Sequence, residues 1–222
     1  LHIIGILIFL NYLYFSKHLH ILLAFPNTYF ADLDAKGKFT NLESVTREVK
    51  LMLDPNADPY AAAPADAPAT KFGAADVTDL NRVQLLNAYT CTECGRCTSA
   101  CPANQTGKKL SPRRIMMATR DRMVELGDEI DKNNGQMPQS TKTLLNDYIT
   151  PEELWACTSC NACVEECPVN INPLSIILDL RRFLVMEQSA APMSLNAMMS
   201  NIENNGAPWQ YSQQDRLNWK NE

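Results

Sequence analysis

The sequence predicts a mainly α-helical fold with an N-terminal transmembrane helix. Three observations predict it. Residues 1–15, LHIIGILIFLNYLYF, are almost wholly apolar, and Leu19, Ile21, Leu22, Leu23 and Phe25 extend the run to Pro26. Further along, apolar residues recur at near-helical spacing around two cysteine-rich stretches. No segment reads convincingly as a strand. The chain has 222 residues and a formal net charge of −5, which does not suggest nucleic-acid binding. It opens on Leu inside the apolar run, so it reads as a fragment or a processed chain.

The first element is a helix over residues 1–25, near the length of a membrane span. A secretory signal would need a basic start and a small-residue cleavage site, and neither is present. Tyr12, Tyr14 and Lys17 suit an interface near one end. All three histidines, His2, His18 and His20, lie here. His18 reads as a headgroup-zone residue. His2 and His20 are eighteen residues apart, so on one continuous helix they share a face and sit about 27 Å apart. Ionisable side chains in a membrane are functional candidates, and histidine is a common haem axial ligand. Residues 26–75 read as a juxtamembrane segment and a linker, whose core is the Pro- and Ala-rich stretch from Asp54 to Asp76. Lys17, Lys36 and Lys38 follow the span and agree with a cytoplasmic exit.

Residues 76–188 hold the cysteines. CTECGRCTSACP runs from Cys91 to Pro102, and CTSCNACVEECP from Cys157 to Pro168. Both read C-x2-C-x2-C-x3-C-P, the bacterial ferredoxin spacing for [4Fe–4S] clusters. Three thiolates two residues apart can wrap one cube from a single loop, while the fourth faces away toward the other cube. Cluster 1 is therefore assigned to Cys91, Cys94, Cys97 and Cys167, and cluster 2 to Cys157, Cys160, Cys163 and Cys101. Zinc sites pair two C-x2-C units across a longer loop, a different pattern. Disulfides between such close neighbours are disfavoured by geometry. Thiolate-bound iron belongs in a reducing compartment, which places this domain on the cytoplasmic side of the inner membrane.

Helices surround these loops, so the domain reads as an α-helical ferredoxin. Val77, Leu80, Val83, Leu86 and Tyr89 precede the first motif at helical spacing. Ser111–Pro112 is an N-cap with Pro at N1, followed by Ile115, Met116, Met123 and Val124 up to Gly127. Thr150–Pro151–Glu152–Glu153 is a capping box leading into Leu154 and Trp155. Leu174, Ile177, Leu178 and residues 180–184 form a last helix. The basic residues Lys108, Lys109, Arg113, Arg114, Arg120 and Arg122 read as a solvated helix face, with charge compensation for the clusters or docking as the functional reading. The tail, residues 189–222, carries Met193, Met198, Met199, Trp209, Tyr211 and Trp219, suited to docking a partner or to wrapping the chain's own domain.

CTECGRC and CTSCNACVEECP resemble the iron–sulfur subunit of heterodisulfide reductase-like proteins. A similar helical unit occurs in the iron–sulfur subunits of glycolate oxidase and succinate dehydrogenase, although no plant-type [2Fe–2S] cysteine set is present here. The segment LHIIG…SKHLHILLAFP resembles the last haem-binding helix of the nitrate reductase gamma family, and the match implies that His2 and His20 ligate b haems in a fuller protein. Together these resemblances cover residues 1–30 and 76–222. They imply a membrane-anchored electron-transfer subunit between membrane quinol or haem b and a soluble redox partner. That partner would be a cysteine-rich heterodisulfide reductase-like subunit or a flavoprotein. Alternatives are the iron–sulfur subunit of a flavin-dependent 2-hydroxy acid dehydrogenase, or a structural or sensing module. No catalytic base, nucleophile or nucleotide loop is legible.

Overall fold

The computed structural model describes residues 1–16, 18–34, 37–55, 71–138 and 142–220. Lys17, Lys36 and residues 56–70 of the expected linker lie outside them. Among the described residues there are eleven α-helices and no strand, in line with the mainly helical reading.

The apolar start is not one helix. α1 spans His2–Phe15 and α2 spans Leu19–Tyr29, bent by 66° at the break. Ser16 supplies a local reason. Its hydroxyl donates to Leu13 O at 3.0 Å and accepts from His18 N at 3.2 Å. Both bonds offer the backbone an alternative to continuing the helix. No single described helix is long and apolar enough to cross a membrane; α1 and α2 reach that length only together, across the bend. The single transmembrane helix expected over residues 1–25 is thus replaced by a bent pair. The two members also differ in surroundings. α1 leaves Ile3, Ile4, Leu7, Ile8, Phe9 and Phe15 exposed. α2 packs against α4, which spans Arg82–Thr90. Asn27 on α2 is buried, and its amide donates to Val169 O at 2.7 Å, beside the second cysteine motif. α3, Glu43–Leu53, follows.

From residue 71 onward, caps organise the chain. Asn81 and Gln84 cap α4 reciprocally, each side-chain oxygen accepting from the other's backbone N–H at 2.9 Å. α5 (Arg96–Ser99) and α6 (Pro102–Gln105) close the first motif. α7 runs from Pro112 to Lys132, with Ser111 accepting from Arg114 N as expected of its cap. A turn over Leu144–Tyr148 leads to α8, Pro151–Ala156, where the Thr150–Glu153 capping box is present. α9 (Ala162–Glu165) and α10 (Pro173–Met186) complete the unit. Its core is built from Ile115 and Met116 of α7, Leu144, Leu145 and Ile149 of the turn, Leu154 of α8, and Ile176, Ile177 and Leu180 of α10. Gly73, at φ +80°, lets residues 71–75 approach α10 closely; a Cβ there would collide with the backbone of Asp179 and Phe183.

Two expectations about α7 are corrected. Gly127 does not end the helix, and Val124 is exposed rather than buried. A helix-interior Gly costs about 1 kcal/mol against Ala, which tertiary packing overrides. The basic stretch is also not a uniform solvated face. Arg122 is 1% exposed and forms a forked ion pair with Asp76, with contacts of 2.7 to 3.2 Å, while donating to Lys142 O at 2.8 Å. Asp76 also accepts from Leu144 N at 3.0 Å and Val77 N at 2.8 Å. This pair ties the start of the unit to α7 and to the 144–148 turn. Lys109 pairs with Glu152 and Arg114 with Glu153, so the stretch is largely paired within the fold.

Asp79 carries a pH prediction. Burial opposes its charge, but Lys71 and the N–H groups of Ala75 and Asp76 outweigh it and hold the carboxyl below its usual range. A carboxyl whose pKa is lower in the folded state stabilises above its unfolded value, about 3.9. That stability is lost as pH falls through the folded value. Asp79→Asn should therefore be less stable than the parent at neutral pH, and the gap in melting temperature should narrow below about pH 4. A gap independent of pH would show that Asp79 acts through shape alone.

The chain forms two compact units, Leu1–Phe183 and Leu184–Glu222. Within the second, α11 spans Met193–Asn205 and ends at Gly206 in the left-handed region. Arg216 donates to Asn205 O at 2.6 Å and closes the following loop onto that helix end. Met193, Trp209, Tyr211 and Trp219 are exposed.

Candidate metal centre

The two cysteine motifs fold into matching loops. Each has a left-handed residue two positions after its first cysteine, Glu93 at φ 57° and Ser159 at φ 55°. Each has a second one directly after its second cysteine, Gly95 at φ 81° and Asn161 at φ 60°. Gly and Asn tolerate that region; Glu and Ser are rarer there. These reversals curl the backbone so that N–H groups face sulfur. Ser159 N donates to Cys157 Sγ at 3.4 Å, and Glu93 N does the same for Cys91. Arg96 N and Ala162 N serve Cys94 and Cys160. Ile171 N adds a donor to Cys167 Sγ at 3.3 Å. A short helix then turns each fourth cysteine away, and Cys101 precedes α6 with Pro102 at its first position.

The thiols divide as their surroundings dictate. Cys94 and Cys160, at the exposed edge, lie below the usual thiol range because backbone N–H groups favour their thiolates. Burial pushes Cys91, Cys97 and Cys157 up, and Cys163 up to about 12. Their neighbours cross between motifs. Cys167 acts on Cys91 and Cys97, Cys101 acts on Cys157 and Cys163, and Cys97 also acts on Cys163. Tertiary packing of α5 on α9 brings the loops together. A hollow beside the first loop is walled by Cys91, Cys94, Cys97, Cys163 and Cys167 together with Met116 and Ile171.

This donor set fits iron–sulfur clusters. All eight cysteines are free thiols. Among the described residues, no three His, Cys, Asp or Glu side chains converge tightly enough to hold a single ion. A tetrahedral zinc with bonds of about 2.3 Å would need its sulfurs ~3.8 Å apart. A cube holds its ligands further apart, and N–H groups aimed at sulfur are what such a cluster uses.

Two arginines flank the loops. Arg120 donates to Glu93 at 2.7 Å beside Cys91, and lies 3.7 Å from Asp121. Arg181 donates to Leu154 O, Cys157 O and Ser159 Oγ, and its guanidinium lies 5.0 Å from the Trp155 ring centroid. Sequence reasoning singled out Arg120 only as part of a basic run and missed Arg181 altogether. The left-handed Glu93 and Ser159 were also missed, since neither residue type signals that conformation.

The histidines do not keep the arrangement expected of one helix. His2 is on α1 and His20 on α2, so the break removes their common face and the separation derived from it. His20 is half-buried and its ring stacks on His18 with centroids 6.5 Å apart. Both line a cleft of about 600 Å³ with Tyr14, Phe15, Tyr89, Cys91, Glu93 and Arg120. One wall of that cleft is thus part of the cysteine site.

Residues 90–171 match the family described as "4Fe-4S dicluster domain". The "Probable iron-sulfur-binding oxidoreductase FadF" of Bacillus subtilis is 30% identical over 250 aligned residues, covering 100% of this chain and 33% of that protein. The "EtfAB:quinone oxidoreductase" of Syntrophomonas wolfei is 30% identical over 172, covering 69% and 24%. The "Probable membrane-anchored ferredoxin" of Chromohalobacter salexigens is 32% identical over 170, covering 70% and 24%. Heterodisulfide reductase subunits C and D also match. The chain thus spans a quarter to a third of the length of those three relatives. It carries a 4Fe–4S dicluster domain, is homologous to iron–sulfur oxidoreductases, and has iron–sulfur clusters as its supported cofactors.

Proposed function

We propose that this chain is the electron-transfer part of a membrane-associated oxidoreductase, relaying electrons between membrane quinol or haem b and a soluble partner. The observation that supports the proposal is that Cys167 of the second motif lines the hollow formed by Cys91, Cys94 and Cys97, and that Cys101 of the first lies close enough to Cys157 and Cys163 to act on their thiols. Cys91, Cys94, Cys97 and Cys167 would hold one cluster, and Cys157, Cys160, Cys163 and Cys101 the other. Each cluster, when bound, stores and passes one electron at a time. The protein supplies the N–H donors, the burial and the charges around it. Buried thiols with raised pKa values are poor anions alone, and iron supplies the positive charge that ionises them.

Membrane association is supported by the exposed apolar surface of α1 and by the relative named as membrane-anchored. Quinone as the membrane-side carrier draws on the name of another relative. The soluble partner in this reading is a heterodisulfide reductase-like subunit or a flavoprotein, and the cluster domain faces the reducing cytoplasm. His20, beside Cys91 in the cleft, remains the candidate haem b ligand, completed by a ligand from a segment outside this chain. His2 has lost the shared-face argument and is not assigned a ligand role.

Anaerobic purification of the protein from membranes tests the proposal. Roughly eight iron and eight sulfide per chain are expected for two cubanes, with a b-type absorbance that His20→Ala abolishes while both clusters remain. Stoichiometric zinc without sulfide would overturn the cluster reading. Full haem content in His20→Ala would overturn the ligand assignment only.

A further inference from the structure

We propose that Arg181 raises the reduction potential of cluster 2, making the two clusters unequal although their loops are alike. The inference rests on the cluster reading above. The loops match in cysteine spacing, in their two left-handed residues and in the N–H groups facing their first and second cysteines. At those positions hydrogen bonding favours neither cluster, while Ile171 N on Cys167 and Thr98 on Cys97 add donors to cluster 1 alone. The fixed charges differ.

Beside the first loop, the cation that acts on Cys91 is already neutralised. Arg120 is bound to Glu93 at 2.7 Å, and Glu93 lies between Cys91 and Cys94 in the chain. Arg96 and Arg113 also wall the first hollow, but both are exposed, so water and salt screen them. Beside the second loop, Arg181 is half-buried and held in place on every side. It donates to the carbonyls of Leu154 and Cys157 and to the Ser159 hydroxyl, and it packs over Trp155. Among the described residues no carboxylate lies within ion-pair distance of it. Glu153, the buried acid of the adjacent helix, is taken up by Thr150 and Arg114. Glu165 and Glu166 are exposed. The charge on Arg181 therefore acts on the Cys157 end of the site with nothing close to cancel it.

Four thiolates around an oxidised cube leave a net negative centre, and one electron adds one further negative charge. A fixed cation in a medium of lowered dielectric favours that added charge, and net charge is one of the levers that set cluster potentials. Arg181 is a positioning residue in this sense: it acts on the cluster through the Cys157 loop and touches no substrate.

Redox titration of the holoprotein, followed by EPR, tests this. Cluster 2 is identified as the signal that Cys101→Ser perturbs. Arg181→Gln and Arg181→Met should move the electron-sharing equilibrium between the clusters at least tenfold away from cluster 2. That corresponds to about 59 mV for one electron. Cluster 1 should stay in place. Arg181→Lys, which keeps the charge, should hold most of the wild-type potential. Glu93→Gln, which uncovers Arg120, should raise cluster 1. An unshifted cluster 2 in Arg181→Gln overturns the proposal, as does a shift in Arg181→Lys equal to that in Arg181→Gln. Where the Gln and Met variants fail to assemble cluster 2, the Lys variant and Glu93→Gln decide, and failure of either expected result overturns it. Wild-type protein without iron and sulfide would instead defeat the cluster reading itself.

Discussion

Replacing Cys101 with Ala is expected to remove the cluster bound by the second motif and to leave that of the first motif intact. Iron should fall from roughly eight to about four per chain. Cys101 is buried at 6% exposure just before α6, and its thiol acts on Cys157 and Cys163, whose set it completes in the proposed assignment. Without it, the loop of Cys157, Cys160 and Cys163 offers three ligands to a four-ligand cube. Cys157 and Cys163 have thiols raised by burial, so an incompletely ligated second loop also loses what makes their ionisation favourable. The crossing itself is read from a set of four variants. The residual EPR spectrum of Cys101→Ala should overlay that of Cys160→Ala, and Cys167→Ala should overlay Cys94→Ala. If Cys101→Ala instead matches Cys94→Ala, each motif closes on its own fourth cysteine and the exchange is wrong.

Asp76→Ala should be the most destabilising change away from the cysteines, by about 3–5 kcal/mol. The carboxylate accepts three guanidinium contacts from Arg122 and one each from Val77 N and Leu144 N. Removing it leaves a guanidinium that is 1% exposed with only Glu125, at 3.8 Å, and Lys142 O as partners, and frees a backbone N–H in the 144–148 turn. A buried cation deprived of its hydrogen-bonded partner costs far more than the pair stabilises, because desolvation of the pair nearly cancels its attraction. The double variant Asp76→Leu with Arg122→Met should therefore recover much of the loss. Thermal melts of the cluster-loaded protein would check both. A double variant no more stable than Asp76→Ala would mean that the hydrogen bonds to Val77 and Leu144, rather than the stranded charge, dominate.

Much of the candidate site is local chemistry, and so it was legible. Ligand spacing is a property of eleven consecutive residues. The caps at Ser111–Pro112 and Thr150–Glu153 are settled within four. The repeated motif with its closing proline therefore identified the dicluster domain, and helical spacing identified α7 and α10 around it. Other features depend on contacts across the chain, and no local signal carried them. Arg122 read as one more surface cation because Asp76 lies 46 residues away. Gly127 read as a helix end because helix propensity is weak beside the packing of α7. The apolar start read as one span because its composition is uniform. Ser16 interrupts it, and Asn27 ties α2 to Val169 at a sequence distance of 142 residues.

By itself, then, the sequence determined that the protein is helical, that it carries two cysteine sets of [4Fe–4S] spacing, and that an apolar segment precedes them. Only the tertiary structure decided that α2 lies on the cysteine domain, that His20 and not His2 borders the Cys91 cleft, and that one flanking arginine is neutralised while Arg181 is not. The reason is physical. Bond spacing and capping are fixed within a few residues, whereas burial and the pairing of charges exist only once distant segments have met.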